Sequence, residues 1–353
     1  MTKRIVILGG GGNFGAMITR ELAREKDLEV IVASRSSAHK LDINAPDFAQ
    51  KLAALKPAIV IHTVGPYQGQ DYHVAQACID CDAHYIDLAD ARAFVSGIDA
   101  LDAAAKKRGV LVVSGASSVP CLSAALIDHY RPQFSILESV DYAITTAQHT
   151  NRGLATATAI LGYVGKPFTT LSGGDMKTVY GLQDLHARNF DGLGRRWLGN
   201  CDIPDLALFP ARYPGLKTLR FYAGVEVPAI HFGLWALAGL VRAHILPGLS
   251  GAAPALLKIS RLFDWCGGGD SGFYMTLRGT GTDGNPLGIT FSLTARKGDG
   301  ILIPSLPSII LAKRLARGEI KITGAQPCLG LIDRDSYLGA MKWLNISWTD
   351  NRF

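Results

Sequence analysis

The aliphatic run Ile5-Val6-Ile7-Leu8 stops at four consecutive glycines, Gly9 to Gly12, and residues of helical composition follow from Ala16 to Arg24. That succession reads as a buried strand, a sharp turn and a helix. Inside it Gly10, Gly12 and Gly15 form G-x-G-x-x-G, with Asn13 and Phe14 between the last two. In this position the glycines allow a tight turn, a close approach of backbone to pyrophosphate, and the packing of helix on sheet. Backbone N–H groups and the dipole at the helix start then suit phosphate. The expectation is a dinucleotide site that uses Gly10, Gly12, Asn13, Phe14 and Gly15; a strand–helix turn with no ligand is the alternative.

The alternation continues downstream. Strands are expected at Leu28 to Ala33, Ala58 to Val64, His84 to Leu88 and Val110 to Ser114, with helices at Phe48 to Leu55, Tyr72 to Asp80 and Ile98 to Arg108. Nearly all-aliphatic strands are buried on both faces, as in a parallel sheet covered by helices. After Pro120 the pattern turns β-rich and glycine-rich. Thr282-Asp283-Gly284-Asn285-Pro286 marks a hairpin, flanked by Phe273, Met275 and Leu277 on one side and Ile289, Phe291 and Leu293 on the other. Ser308 to Arg317 reads as a helix stopped by Gly318. The fold class is therefore α/β, a Rossmann-type doubly wound parallel sheet with a second α+β domain built on a mixed or antiparallel sheet. The expected division is 1–125 for the dinucleotide domain, completed by 303–353, and 126–302 for a substrate or dimerisation domain.

Composition excludes several other classes. With 48% hydrophobic and 19% charged residues over 353 positions, the chain lies far from the disordered regime. The formal charge of +6 comes from scattered basic residues, which points away from nucleic acid. Six dispersed cysteines in a chain this long read as thiols of a reducing, cytoplasmic compartment, and Cys78 and Cys81, a C-x-x-C on a predicted helix, as buried thiols. The apolar stretches from Gly109 to Ile127, Val227 to Val241 and Ala243 to Leu257 are too short or too interrupted to span a membrane.

The end of the second strand selects the cofactor. A NAD site needs a carboxylate there for the ribose hydroxyls, and this chain has Ser34-Arg35-Ser36-Ser37. A guanidinium flanked by hydroxyls suits a 2′-phosphate, so NADP is expected, held by Ser34, Arg35 and Ser36. Asp42 is a candidate neighbour of the adenine or an ordinary turn residue. Thr63, Val64, Gly65 and Pro66 end the next strand at the carboxyl edge, where the nicotinamide half would lie. Tyr67 and Asp90 follow along that edge as candidate catalytic groups, with packing and helix capping as the alternatives. Cys121 has no identifiable base partner.

Gly9 to Gly15, Gly65-Pro66-Tyr67, His73-Val74-Ala75-Gln76-Ala77-Cys78 and His84-Tyr85-Ile86-Asp87-Leu88-Ala89-Asp90 resemble the saccharopine dehydrogenase-like family of NAD(P)-binding oxidoreductases. Ser172-Gly173-Gly174, Pro304-Ser305-Leu306-Pro307 and Pro327-Cys328-Leu329-Gly330-Leu331 are similar to its second domain and C-terminal return. The resemblance implies a Rossmann domain completed by C-terminal residues, a second domain that often forms homodimers, and hydride transfer at a carbon–nitrogen bond. Asp175-Met176-Lys177 replaces the longer signature of saccharopine reductases, and Thr218-Leu219-Arg220 is a partial echo in which Arg220 is a candidate carboxylate ligand. The expected substrate is accordingly a small or moderately apolar molecule, bound between the domains, rather than saccharopine.

Two other functions compete with an NADP(H)-dependent oxidoreductase. One is a non-catalytic NADP(H)-binding sensor or scaffold. The other makes Ile230 to Phe263 a lipid-contacting surface, since it carries Trp235 with Arg242, His244, Lys258 and Arg261 and is followed by Trp265. Protein cover for this segment, by the second domain's own sheet or by the partner in a homodimer, is the expectation.

Overall fold

The computed structural model of the protein describes residues 2–150 and 153–353. The chain divides into two compact units, Met1–Ala125 with Leu302–Ala340, and Leu126–Ile301 with Met341–Phe353.

The first unit opens with β1 (Lys3–Leu8), α1 (Asn13–Leu22), β2 (Leu28–Ser34), β3 (His39–Lys40), α2 (Phe48–Ala54) and β4 (Ile59–His62). It continues with α3 (His73–Asp80), β5 (His84–Asp87), α4 (Arg92–Ser96), α5 (Asp102–Arg108) and β6 (Leu111–Ser114). Ile5, Val6, Ile7 and Leu8 are no more than 1% exposed. Burial of each such side chain contributes about 1.5–3 kcal/mol, which is why an unbroken aliphatic run occupies the middle of the sheet.

The second unit follows α6 (Ser123–Tyr130) with β7 (Phe134–Thr146), α7 (Leu154–Tyr163), β8 (Pro167–Ser172) and β9 (Asp175–Tyr180). Then come β10 (His186–Phe190), β11 (Gly194–Asn200), α8 (Asp205–Arg212), β12 (Thr218–Val225), α9 (Pro228–Arg242), α10 (Ala253–Arg261), β13 (Ser271–Gly281) and β14 (Pro286–Ala295). The chain returns to the first unit with α11 (Leu306–Ala316), β15 (Gly324–Pro327) and α12 (Arg334–Gly339), and ends in the second with β16 (Ile346–Arg352).

The first sheet runs β15-β6-β5-β4-β1-β2-β3, with every pairing parallel. Because β1 lies between β2 and β4, the glycine turn, the Ser34 end and the Thr63 end share one carboxyl edge. The second sheet runs β10-β11-β12-β7-β13-β14-β16 and is mixed, β7 and β12 being parallel and the other pairs antiparallel. Ser172-Gly173-Gly174 is the turn between β8 and β9, with both glycines at positive φ.

The expected completion of the first domain by the whole of 303–353 needs correction. Met341–Phe353 does not complete the first domain; β16 pairs along β14, Leu293 opposite Trp348, and the Gly288 N–H donates to the Phe353 carbonyl at 2.8 Å. In β13 the polar face is also covered. Tyr274 and Thr276 are buried because β10 lies over them: the Arg188 guanidinium stands 3.4 Å from the Tyr274 ring centre and donates to Thr276 Oγ1 at 3.1 Å. No described helix is long and apolar enough to cross a membrane.

Candidate functional site

The glycine turn is constrained from within. Gly9 adopts φ +77, and the Gly12 N–H donates to the Gly9 carbonyl at 2.8 Å. A Cβ on Gly10 would stand 2.9 Å from Val32 and 3.0 Å from Thr19 Oγ1, so that glycine lets β2 and α1 close on the turn. On Gly15 a Cβ would meet the Gly9 carbonyl oxygen at 2.3 Å. Gly12 is different: its Cβ would find only the Gly9 carbonyl, at 3.2 Å, and Gly11 faces open space. These are two glycines for packing and two that leave the front of the turn open. Gly12 is the N-cap of α1, no side chain caps the helix, and no acidic residue occupies its first turn. A helix start with no capping side chain and no carboxylate in its first turn is of the kind that could hold an anion. Asn13 and Phe14 are half-buried in that turn.

The end of β2 is cationic. Ser34 and Ser37 bind each other's backbone: Ser34 N–H donates to Ser37 Oγ at 2.8 Å, and Ser37 N–H to Ser34 Oγ at 3.0 Å. This short hydroxyl turn leaves Arg35 and Ser36 exposed, and no described residue forms an ion pair with Arg35. Lys40 pairs directly alongside Ser34 in β3 and is exposed, a second cation at this edge that sequence reasoning missed. Its signal was a basic residue just past a serine-rich turn. Asp42 stands in a turn, its Oδ1 accepting from the Asn44 N–H at 3.0 Å.

At the end of β4, Thr63 turns inward. Its Oγ1 donates to the Leu8 carbonyl at 2.8 Å and abuts the Cβ positions of Gly9 and Gly15, so it braces the glycine turn. The Gln70 Nε2, unremarked in the sequence, donates to the Val64 carbonyl at 2.9 Å and the Pro66 carbonyl at 2.7 Å. Gly65 would bring a Cβ no closer than 3.8 Å to anything, so its outer side is open.

Tyr67 does not stand ready as a proton donor. It is buried, its hydroxyl donates to the His62 carbonyl at 2.7 Å, and its ring packs edge-on against His62. Burial pushes that hydroxyl well above the usual phenol range, with Asp87 adding to the effect. Packing, the alternative, is its role. Tyr67→Phe is expected to lower unfolding free energy by about 1 kcal/mol, measured in urea, and to leave dinucleotide affinity unchanged; a large affinity loss without a stability change would contradict this assignment. Asp90 is exposed and accepts from Gln68 Nε2 at 3.4 Å.

Below this edge lies a buried polar set on neighbouring strands. Asp87 pairs with His62 in register. Its Oδ1 accepts from the Gly115 N–H at 2.8 Å, the Ala89 N–H at 2.9 Å and Ser114 Oγ at 3.0 Å, joining the ends of β5 and β6. Burial raises the carboxyl to about 6, against the pull of those bonds. His62 Nδ1 is 3.0 Å from Tyr85 Oη, and burial holds the imidazole down to about 3. The motif His84-Tyr85-Ile86-Asp87 thus contributes Asp87 as a structural tie. Cys78 is buried and Cys81 half-buried, and burial raises both thiols. In the second unit Arg220 is committed: it pairs with Asp184 and donates to Asn200 Oδ1 at 2.9 Å, so its charge is already met.

Residues 5–113 match the family model described as the saccharopine dehydrogenase NADP binding domain. No curated protein matches the sequence. Among solved structures, saccharopine dehydrogenase (L-Glu forming) from Saccharomyces cerevisiae is similar at 14% identity, over 99% of this chain and 100% of that one, with a TM-score of 0.70. An engineered D-amino acid dehydrogenase bound to NADP+ is similar at 14% identity over 94% of each chain, with a TM-score of 0.49. The DAP dehydrogenase of C. glutamicum follows at 16% identity over 94% of each chain, with a TM-score of 0.47. Residues 5–113 are thus similar to the NADP binding domain of saccharopine dehydrogenase, and the chain as a whole shares its α/β fold with the yeast enzyme.

Proposed function

We propose that the protein is an NADP(H)-dependent oxidoreductase that transfers hydride at a carbon–nitrogen bond of a small or moderately apolar substrate. The bond type rests on the name of the yeast match, a dehydrogenase of saccharopine. The cofactor rests on the end of β2, where Arg35 and Lys40 face solvent with no acidic residue among Ser34-Arg35-Ser36-Ser37. Gly12 and the first N–H groups of α1 would hold the pyrophosphate, and Arg35 with Ser36 the 2′-phosphate. Thr63 would keep the turn closed, and Val64, Gly65 and Pro66 would border the nicotinamide. The bound nicotinamide supplies the hydride chemistry; the residues named here bind and orient it.

One observation favours the non-catalytic reading, namely that the Tyr67 hydroxyl is used by the main chain. Asp90 then remains the proposed group at that edge for contact with substrate. Titration of NADPH and NADH by calorimetry tests the cofactor assignment. NADPH is expected to bind more tightly, and Arg35→Ala to cost it roughly tenfold to a hundredfold with little effect on NADH. Equal affinities in the unaltered protein would remove the role given to Arg35. Oxidation of NADPH by candidate imines, or its complete absence, separates the enzyme from the sensor.

A further inference from the structure

The segment 230–263 is covered by its own unit on one side only. Leu161, Val164, Leu182, Ala238 and Leu249 belong to one core cluster, against which Leu234 and Leu256 also pack. Several apolar residues of this segment and just beyond it are exposed: Ile245 67%, Ile259 51%, Leu262 71% and Trp265 85%. Ala255 and Ile259 of α10 and Leu262 at its C-cap fall at helical spacing and are all exposed, so they form one outward stripe, and the exposed Trp265 follows in the next turn. Lys258 and Arg261 flank this stripe and form no ion pair with any described residue.

The charge on this side is of one sign. Between Pro228 and Cys266 the sequence contains Arg242, Lys258 and Arg261 and a single carboxylate, Asp264. That carboxylate is turned inward, with Oδ1 accepting from Gln148 Nε2 at 2.8 Å, while its carbonyl lies 2.8 Å from His149 Nε2. We propose that the outer face of α10, together with Trp265, docks on an anionic lipid surface, the apolar side chains entering the headgroup boundary and Lys258 and Arg261 meeting lipid phosphates and carboxylates. An amphipathic helix with large apolar residues beside basic ones has this affinity, and no described helix here is able to span the bilayer instead. A second copy of the chain fits less well. A two-fold interface on this face would bury Lys258 and Arg261 of both copies, and the segment's one carboxylate, Asp264, is already engaged by Gln148.

Co-sedimentation of the full chain with phosphatidylcholine vesicles, and with mixed phosphatidylcholine–phosphatidylserine vesicles, tests the proposal alongside light scattering for oligomeric state. Binding to the mixed vesicles is expected to be about 30-fold tighter than to neutral ones, since each of two surface cations contributes roughly a factor of five. Lys258→Gln with Arg261→Gln should abolish that preference, and Leu262→Ser with Trp265→Ser should abolish binding to both. All four changes are at exposed positions, so melting temperatures should stay within a few degrees of the parent. Equal binding to neutral and mixed vesicles, no binding to either, or binding unaltered by the substitutions would overturn the proposal. So would a dimer that Leu262→Ser with Trp265→Ser converts to monomer.

Discussion

Replacing Gly15 by alanine is expected to weaken dinucleotide binding by about a hundredfold or more, equivalent to about 3 kcal/mol, and to lower the melting temperature as well. The added Cβ would lie 2.3 Å from the Gly9 carbonyl oxygen, 2.8 Å from Gly10 Cα and 2.8 Å from Thr63 Oγ1. Two of those three atoms are backbone, which no rotamer change can move. The turn must open, and α1 must shift away from β1 and β4, carrying its N–H groups with it. Gly11→Ala is the matching control: a Cβ there meets nothing within 4 Å, and Gly11 does not lie at positive φ, so binding and stability should stay near those of the parent. Calorimetric titration and thermal melting of both variants read the outcome. A Gly15→Ala protein that binds dinucleotide like the parent would sink the assignment of this turn as the phosphate cradle.

The second large effect belongs to Asp87. Asp87→Ala deprives three buried or partly buried donors, Gly115 N–H, Ala89 N–H and Ser114 Oγ, of their shared acceptor and should cost about 3–5 kcal/mol of stability. Asp87→Asn keeps an oxygen at Oδ1 and should retain most of it at neutral pH, where the parent holds a buried charge. The pH dependence carries a sharper signature. The Asp87 carboxyl lies at about 6 in the folded protein, above its unfolded value of about 3.9. Its contribution is therefore fully present below about pH 4 and lost as pH rises through about 6. His62 is held down to about 3, below an unfolded value of about 6.5. Its contribution is present above about pH 6.5 and lost as pH falls toward 3. Between about pH 4 and 6 the two slopes oppose each other and nearly cancel. Asp87→Asn removes one of them, so its stability relative to the parent should fall by about 1.4 kcal/mol for each pH unit of acidification in that window. Urea unfolding at several pH values measures this; parallel curves for the two proteins would show that Asp87 does not hold its proton in the folded state.

The parts of the site that the sequence made legible are those governed by local chemistry. An aliphatic run followed by Gly9 to Gly15 has few conformations open to it, and the turn, the strand before it and the helix after it stand where the spacing predicts. The serine-rich end of β2 was equally local, because a hydroxyl turn leaves its arginine facing outward. The parallel sheet followed from strands that are aliphatic on both faces, and the hairpin between β13 and β14 from its Asp-Gly turn.

What lay out of reach were pairings between residues far apart in the chain. That Tyr67 packs rather than reacts depends on the His62 carbonyl and ring, and those are set by where β4 ends under the following loop. Lys40 joins Arg35 only because β3 pairs in parallel with β2. The polar residues of β13 alternate as though for solvent, and only the crossing of β10 buries them. The last strand belongs to the second sheet because β14 offers it an edge, a vacancy no periodicity in the tail records. Hydrophobic period and turn residues fix the local elements and the faces they bury; the neighbour on each face is fixed by crossovers and sheet order, which act over tens to hundreds of residues.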